Sequence, residues 1–346
     1  MKSFAARVIE WQRAAGRHDL PWQRTRDPYR IWLSEIMLQQ TQVSAVVPYY
    51  QRFLARFPDL ASLAAAQEDD VLALWSGLGY YARGRNLHRA ALAIVERNAG
   101  TFPSVFEDIV ALPGIGRSTA GAIAVFAFGA RRPILDGNVK RVFARMFGIA
   151  GFPGEKKIEA AMWARAEGLV PSNDIEAYTQ GLMDLGAGVC TRSRPRCEVC
   201  PLHDDCVARR ENRITMLPAP RPARTLPEKS TVMLILRRDR EVLLEKRPAP
   251  GLWGGLWSFP EIADLGDAAH ELRTRFGAEV TSEGALPDVH HGFTHFALTI
   301  TPALLRVTRL ERRAHSPGQV WLTPADAINA AVPAPVRAIL RRLDRG

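Results

Sequence analysis

The amino-acid sequence predicts a two-domain protein, an all-α domain followed by a smaller α+β domain. Three observations carry this. The chain has 346 residues, more than a single hydrophobic core usually organises. Apolar residues recur at helical spacing from about Phe4 to Arg210. Beyond a basic stretch holding Pro218, Pro220, Pro222 and Pro227, the apolar period shortens to that of strands. The expected divisions are 1–215 for the helical domain, 216–229 for an extended linker and 230–346 for the α+β domain.

In the first part the helical pattern is clearest over Ile31–Val47, Val71–Leu74, Leu87–Val95, Ala120–Phe128 and Val139–Phe147. Gly and Pro punctuate it at Phe57-Pro58-Asp59, Gly77-Leu78-Gly79, Phe102-Pro103-Ser104 and Leu112-Pro113-Gly114. In the second part Thr231–Leu236 and Val242–Leu244 read as strands flanking a charged turn at Asp239-Arg240. Ala297–Ile300, Leu304–Val307 and Gln319–Leu322 read as further strands. Ala268–Phe276 and Pro335–Leu343 read as short helices.

Composition narrows the function. No apolar run is long enough to span a bilayer, and Met1–Arg7 lacks the apolar core of a signal peptide, so a cytoplasmic protein is expected. A net charge of +10 suits a polyanionic partner. All 4 cysteines lie between Cys190 and Cys206, which excludes a disulfide framework spread through a secreted domain. Cys190, Cys197, Cys200 and Cys206 are separated by six, two and five residues. Such spacing can wrap one tetrahedral zinc or one [4Fe–4S] cluster, and spacing alone leaves both open. Either group would rigidify a loop whose Arg192, Arg194 and Arg196 face phosphates.

Leu112-Pro113-Gly114-Ile115-Gly116-Arg117-Ser118-Thr119-Ala120 opens an apolar helix. Gly114 and Gly116 permit close backbone approach, and the helix start offers free N–H groups to a phosphate. It is a helix-hairpin-helix element or an ordinary helix joint with glycine at its corner. Glu35 stands among Trp32, Leu33, Ile36 and Met37, where desolvation would raise its pKa as a general acid requires, unless it points outward. Asp136 precedes a helix in Asp136-Gly137-Asn138; it is an N-cap, or a carboxylate kept ionised by the helix dipole for chemistry. One protonated and one ionised carboxyl are what glycosidic-bond cleavage needs.

Taken together, Ser34–Gln42, Gly77–Arg83, the hairpin, Asp136-Gly137-Asn138 and the four-Cys loop resemble the adenine DNA glycosylase family, within the endonuclease III superfamily. The likeness continues past the linker through Gly251-Leu252-Trp253-Gly254-Gly255-Leu256-Trp257 and covers essentially the whole chain in order. It implies an all-α helix-hairpin-helix glycosylase domain with an iron–sulfur cluster loop, plus a C-terminal α+β Nudix-like domain. The cofactor it implies is a [4Fe–4S] cluster on the four cysteines. The implied partner is double-stranded DNA with adenine opposite 8-oxoguanine or guanine, met by a nucleoid-associated monomer with no membrane partner.

The resemblance also implies roles. Glu35 would protonate the adenine ring and later activate water. Asp136 would stabilise or transiently bond the anomeric carbon, with Asn138 alongside. Gln180 would contact the extruded adenine. Gln40, Thr41, Leu78 and Tyr80 would fill the gap in the stack and contact the opposite base, while Gly114 and Gly116 approach the backbone. Related lyases carry a Lys where this chain has Ser118, and Ser118 cannot form a Schiff base, so base excision without strand cleavage is expected. Phe293, Thr294 and His295 match an element that contacts the oxidised base, Thr replacing the family's Ser. His270–Gly277 keeps one Glu, with Arg where a Nudix hydrolase needs Mg²⁺ ligands, which argues against pyrophosphatase activity. A pyrimidine glycosylase/lyase is disfavoured by Ser118 and the C-terminal domain, and a non-enzymatic DNA-binding protein by the presence of both Glu35 and Asp136.

Overall fold

A computed structural model describes residues 2–222, 225–248, 251–263, 266, 268–293, 295–310 and 318–345. Contacts divide the chain into two compact units. One is Met1–Ala65 with Asn86–Ala223; the other is Ala66–Arg85 with Arg224–Gly346. The segment Ala66–Arg85 therefore groups with the C-terminal residues, from which it is far in sequence.

The first unit is helical. Helix α1 (Phe4–Ala15) starts at Ser3, whose side chain accepts from Ala6 N. Helix α2 (Pro28–Leu38) starts at Asp27, which accepts from Tyr29 N, with Pro28 in the first turn. The single pattern expected over Ile31–Val47 is two helices. Gln40 takes a left-handed φ of 58°, which ends α2 before α3 (Val43–Arg56) begins. The apolar period runs across this turn because Met37 and Val46, on either side of it, are both buried.

Helices α4 (Leu60–Ala64), α5 (Glu68–Trp75, in the second unit), α6 (Ala82–Asn98) and α7 (Phe106–Val110) follow. Then come α8 (Arg117–Phe128), α9 (Gly137–Met146), α10 (Lys156–Leu169), α11 (Ile175–Asp184) and α12 (Val207–Arg210). One core joins Val8 of α1, Val139 and Phe143 of α9, Met162 of α10 and Leu182 of α11. The last turn of α11 widens into a π-helix over Leu185–Val189 and delivers the chain to Cys190.

The second unit is built on a mixed sheet. Its strands are β1 (Glu228–Arg238), β2 (Glu241–Lys246), β3 (Trp257–Ser258), β4 (Glu261–Ile262), β5 (Ala278–Ala285), β6 (Val289–Gly292), β7 (Ala297–Leu310) and β8 (Gln319–Leu322). The central order is β3-β2-β1-β7-β5, with β4 on β1, β6 on β7 and β8 on β2. β1 runs parallel to β7, and clusters pack on both of its faces, so its apolar run is unbroken. Met233 and Ile235 face one core with α14 (Pro324–Asn329) and α15 (Ala334–Leu343). Leu234 and Leu236 face another with α13 (Ala268–Phe276).

The turn at Asp239-Arg240 joins β1 to β2 as expected, with Asp239 at a φ of 54°. The two strands expected at Ala297–Ile300 and Leu304–Val307 are one. Pro302 sits inside β7 opposite Met233, and its carbonyl accepts from Leu286 N at 2.9 Å. Among the described residues no helix is long and apolar enough to cross a membrane.

Candidate active site

Helix α2 is buried on most of its circumference. On one face, at spacings of three and four, Ile31, Ser34, Glu35 and Leu38 line a cavity of about 600 Å³. Trp22, Phe126, Gln180 and Met183 contribute further wall. Glu35 thus faces a cavity, not bulk solvent. Burial pushes its carboxyl up to about 8, and the nearby charge of Asp136 adds to the rise. At neutral pH Glu35 carries a proton. A carboxylic acid is therefore held on the wall of a cavity roomy enough for a purine.

Asp136 is the N-cap of α9, its side chain accepting from Val139 N at 2.8 Å and from Asn138 Nδ2 at 3.5 Å. It is also a charge that acts on Glu35, so the two carboxyls are electrostatically coupled across about a hundred residues of chain. The net push on Asp136 is upward, because burial outweighs its hydrogen bonds to Val139 and Asn138 and the Arg141 charge. The capping geometry expected to lower it is present but loses to desolvation. Ser118 Oγ accepts from Leu135 N at 2.9 Å, tying the start of α8 to the residue just before Asp136.

Behind this pair lies a bridge that sequence reading missed. Arg141, one turn into α9, donates to Asn138 Oδ1 (2.8 Å), Gly186 O (2.7 Å) and Cys190 O (2.7 Å). Gly186 permits the approach: a Cβ there would lie 2.5 Å from Asn138 Cβ. Arg145, one turn further, is 4% exposed. It donates to Thr191 O, Arg192 O and Leu217 O, and to Cys190 Sγ at 3.4 Å. The available signal was a charged residue on the apolar face of α9, where Val142, Phe143 and Met146 are buried.

Gln180, 9% exposed, reaches the cavity from α11. Gln40 is exposed at the α2–α3 turn beside the half-buried Thr41, whose hydroxyl donates to Gln39 O at 3.3 Å. Gln39, not singled out from sequence, donates to Thr119 Oγ1 at 3.2 Å and so links this turn to the hairpin. Gly114 takes a φ of 79° and packs against Asn86, while Gly116 is the extended N-cap of α8. The backbone at this joint is a short helix, a tight turn through Gly114 and a second helix, which both readings of the joint share.

The remaining residues lie in the second unit. Leu78 is 7% exposed and so packed inside, whereas Tyr80 is 52% exposed at a φ of 50°. Arg83, the end of the Gly77–Arg83 motif, to which sequence reading assigned no separate role, donates to Gly79 O at 3.1 Å and lies 5.5 Å from the Tyr80 ring. Phe293 stacks on Phe296 at 4.5 Å and meets His291 edge-on at 4.6 Å. His295 is exposed. Thr294 falls outside the described residues.

Cys190, Cys197, Cys200 and Cys206 line one small cavity of about 30 Å³ with Arg145 and Arg209. Burial and the neighbouring thiols push Cys197 up and Cys200 up to about 11. Four thiolates could not coexist there without a multivalent cationic core, which is what an iron–sulfur cluster supplies. Among the described residues no three His, Cys, Asp or Glu side chains converge closely enough to hold a single metal ion. Four thiols lining one cavity are a donor set that fits a thiolate-bound iron–sulfur group.

Comparison with known proteins agrees with this arrangement. Residues 33–167 match the HhH-GPD superfamily of base excision DNA repair proteins. Residues 190–206 match the iron-sulfur binding domain of endonuclease III, and 231–342 the NUDIX domain. Fold and site together define a helix-hairpin-helix base-excision DNA glycosylase with an iron–sulfur cluster loop and a Nudix-like domain. Across 99% of its length the chain is 37% identical to the adenine DNA glycosylase of Buchnera aphidicola subsp. Acyrthosiphon pisum (strain APS), covering 98% of that protein. The chain belongs to the adenine DNA glycosylase family, as its motifs implied.

Among solved structures, a thermostable thymine-DNA glycosylase superposes with a TM-score of 0.55 at 28% identity, over 60% of this chain and 95% of that one. Endonuclease III in a non-covalent DNA complex gives 0.52 at 19% identity, over 60% of this chain and 94% of that one. The second likeness is one of fold.

Proposed function

We propose that this glycosylase removes adenine mispaired with 8-oxoguanine or guanine in duplex DNA and leaves the strand uncut. The observation that carries this is a cavity of about 600 Å³ with a protonated Glu35 on its wall and Asp136 close by. The base is extruded into the cavity, a mispaired adenine being cheaper to unstack than a paired one. Glu35 gives its proton to the adenine ring as the N-glycosidic bond breaks, which makes the base a neutral leaving group. In its carboxylate form Asp136, held by Val139 N and Asn138, stabilises the oxocarbenium-like sugar or bonds to it transiently. Glu35, now a carboxylate, takes a proton from the water that completes the hydrolysis.

Ser118 supplies no amine, so no Schiff base forms and the backbone survives. Its bond to Leu135 N supports a positioning role for Asp136. The four cysteines hold a [4Fe–4S] cluster, which supplies the positive core that keeps their loop closed. Gly114 and Gly116 approach the DNA backbone, while Gln40, Thr41, Leu78 and Tyr80 serve the wedge and the opposite base. Phe293, Thr294 and His295 read 8-oxoguanine. The enzyme acts as a monomer at the nucleoid.

The test is single-turnover cleavage of end-labelled duplexes with adenine opposite 8-oxoguanine, guanine or thymine, each with and without hot alkali. Breaks only after alkali, and only for the first two duplexes, are expected. Breaks without alkali would make the protein a lyase. No breaks with binding intact would remove the catalytic reading.

A further inference from the structure

Gln180 lines the cavity, but its amide alone does not say which end it offers to a base. The end is decided one helical turn later. Asp184, the last residue of α11, is 3% exposed, and its Oδ1 accepts from Gln180 Nε2 at 2.8 Å. A carboxylate has acceptors only, so the group of Gln180 that faces it must be the NH₂. The carbonyl oxygen is then what Gln180 can present to the cavity.

Asp184 is itself fixed from the turn after α1. Arg17 donates its backbone N–H to Asp184 Oδ2 at 2.8 Å and Nε to Oδ1 at 2.7 Å, with Nη2 2.6 Å from Oδ1. The carboxylate thus receives three hydrogen bonds and a second guanidinium contact, with both oxygens engaged, which holds it in one rotamer. Rotating the Gln180 amide by a half-turn would set its carbonyl against this carboxylate.

We infer that Asp184, clamped by Arg17, is the specificity-positioning residue of the cavity. It turns Gln180 so that a carbonyl oxygen meets the exocyclic C6 amino group of an extruded purine. The same oxygen rejects a purine that carries a C6 carbonyl, because two acceptors would face one another. This rests on the proposed adenine excision and names what selects the base within it. Glu35 supplies the proton; the Arg17–Asp184–Gln180 chain supplies the choice.

The test compares single-turnover excision of adenine, unsubstituted purine and hypoxanthine, each opposite 8-oxoguanine, by the cluster-loaded full chain. Asp184→Ala, Asp184→Asn and Gln180→Ala should each lower the adenine-to-purine rate ratio by about tenfold, the value of one hydrogen bond. The adenine-to-hypoxanthine ratio should fall further. The Gln180→Ala/Asp184→Ala double variant should fall no further than either single one, since both act on the same bond. A general loosening of the fold would slow all three bases alike and leave the ratios where they were. Unchanged ratios in a folded Asp184 variant therefore overturn the inference while adenine excision stands. Asp184→Asn, nearly isosteric, keeps that outcome accessible should Asp184→Ala fail to fold. Unmodified protein that excises no adenine overturns the functional reading and this inference with it.

Discussion

Replacing Glu35 with Gln should stabilise the protein, and by an amount that depends on pH. The carboxyl has been pushed up from 4.5 to about 8, chiefly by burial. Between those values the folded chain holds a proton that the unfolded chain releases. Folded protein is therefore favoured at the acid end, and stability falls as pH rises through the window. Above about 8 the full penalty of a buried charge is present. At about 1.36 kcal/mol per pH unit the penalty comes to roughly 5 kcal/mol. Gln fills the same space and titrates nothing, so the difference between the two proteins isolates this one group.

At pH 5 the melting temperatures should lie close together. By pH 9 the Gln variant should melt higher, by on the order of 10 °C at 2–4 °C per kcal/mol for a unit of this size. Thermal unfolding of both proteins at one scan rate, from pH 5 to 9.5, gives the curve. Parallel melting temperatures across that range would falsify the burial argument and with it the reason for calling Glu35 an acid. The same variant should lose base excision while binding duplex DNA, because binding rests on phosphate contacts.

Three further outcomes are expected. Single-turnover excision should decline as pH rises through about 8, where Glu35 loses its proton, and a rate that stays flat from pH 7 to 9.5 would assign the acid elsewhere. Arg145→Met leaves the carbonyls of Thr191, Arg192 and Leu217 without this donor, at about 1–3 kcal/mol each. Its iron content should fall well below the roughly four atoms per chain of a cubane cluster, and full iron loading or stoichiometric zinc would contradict the loop assignment. His295→Ala should weaken the preference for 8-oxoguanine over guanine and spare excision opposite guanine. Deletion after Thr225 should cost both, since Ser76, near Leu78 and Tyr80, donates to Val332 O and accepts from Arg337 Nη2, each at 2.7 Å.

Much of the protein was legible in its letters because the relevant physics is local. The helical period, the proline-rich stretch and the unbroken apolar run of β1 report burial within a few residues of chain, and they divide the helical from the α+β elements. Four cysteines within a short loop announce a metal group by spacing alone. Glu35 among Trp32, Ile36 and Met37 offers either a desolvated acid or an outward-pointing one, and its place on the cavity wall decides between them. Where local pattern faltered, the reasons were local too. A left-handed Gln40 broke a helix without breaking its apolar period, and Pro302 sat in a strand because only its donor is missing. The strands β3 and β4 are two residues long, too short to show a period.

What only the tertiary structure decided is what depends on partners distant in sequence. Glu35 and Asp136 are about a hundred residues apart, and no periodicity says that one charge raises the other's pKa. The reason for a charged residue on the apolar face of α9 appears only when the carbonyl partners of Arg141 and Arg145 near Cys190 are seen. Asp184 reads as an ordinary helix end, yet Arg17, 167 positions earlier, makes it the group that orients Gln180. The segment Ala66–Arg85 continues the helical pattern of its neighbours but takes its contacts from the C-terminal sheet. Sequence determined which groups are costly to bury; the fold determined which of them meet, because hydrogen bonds and Coulomb forces act over ångströms of space and take no account of distance along the chain.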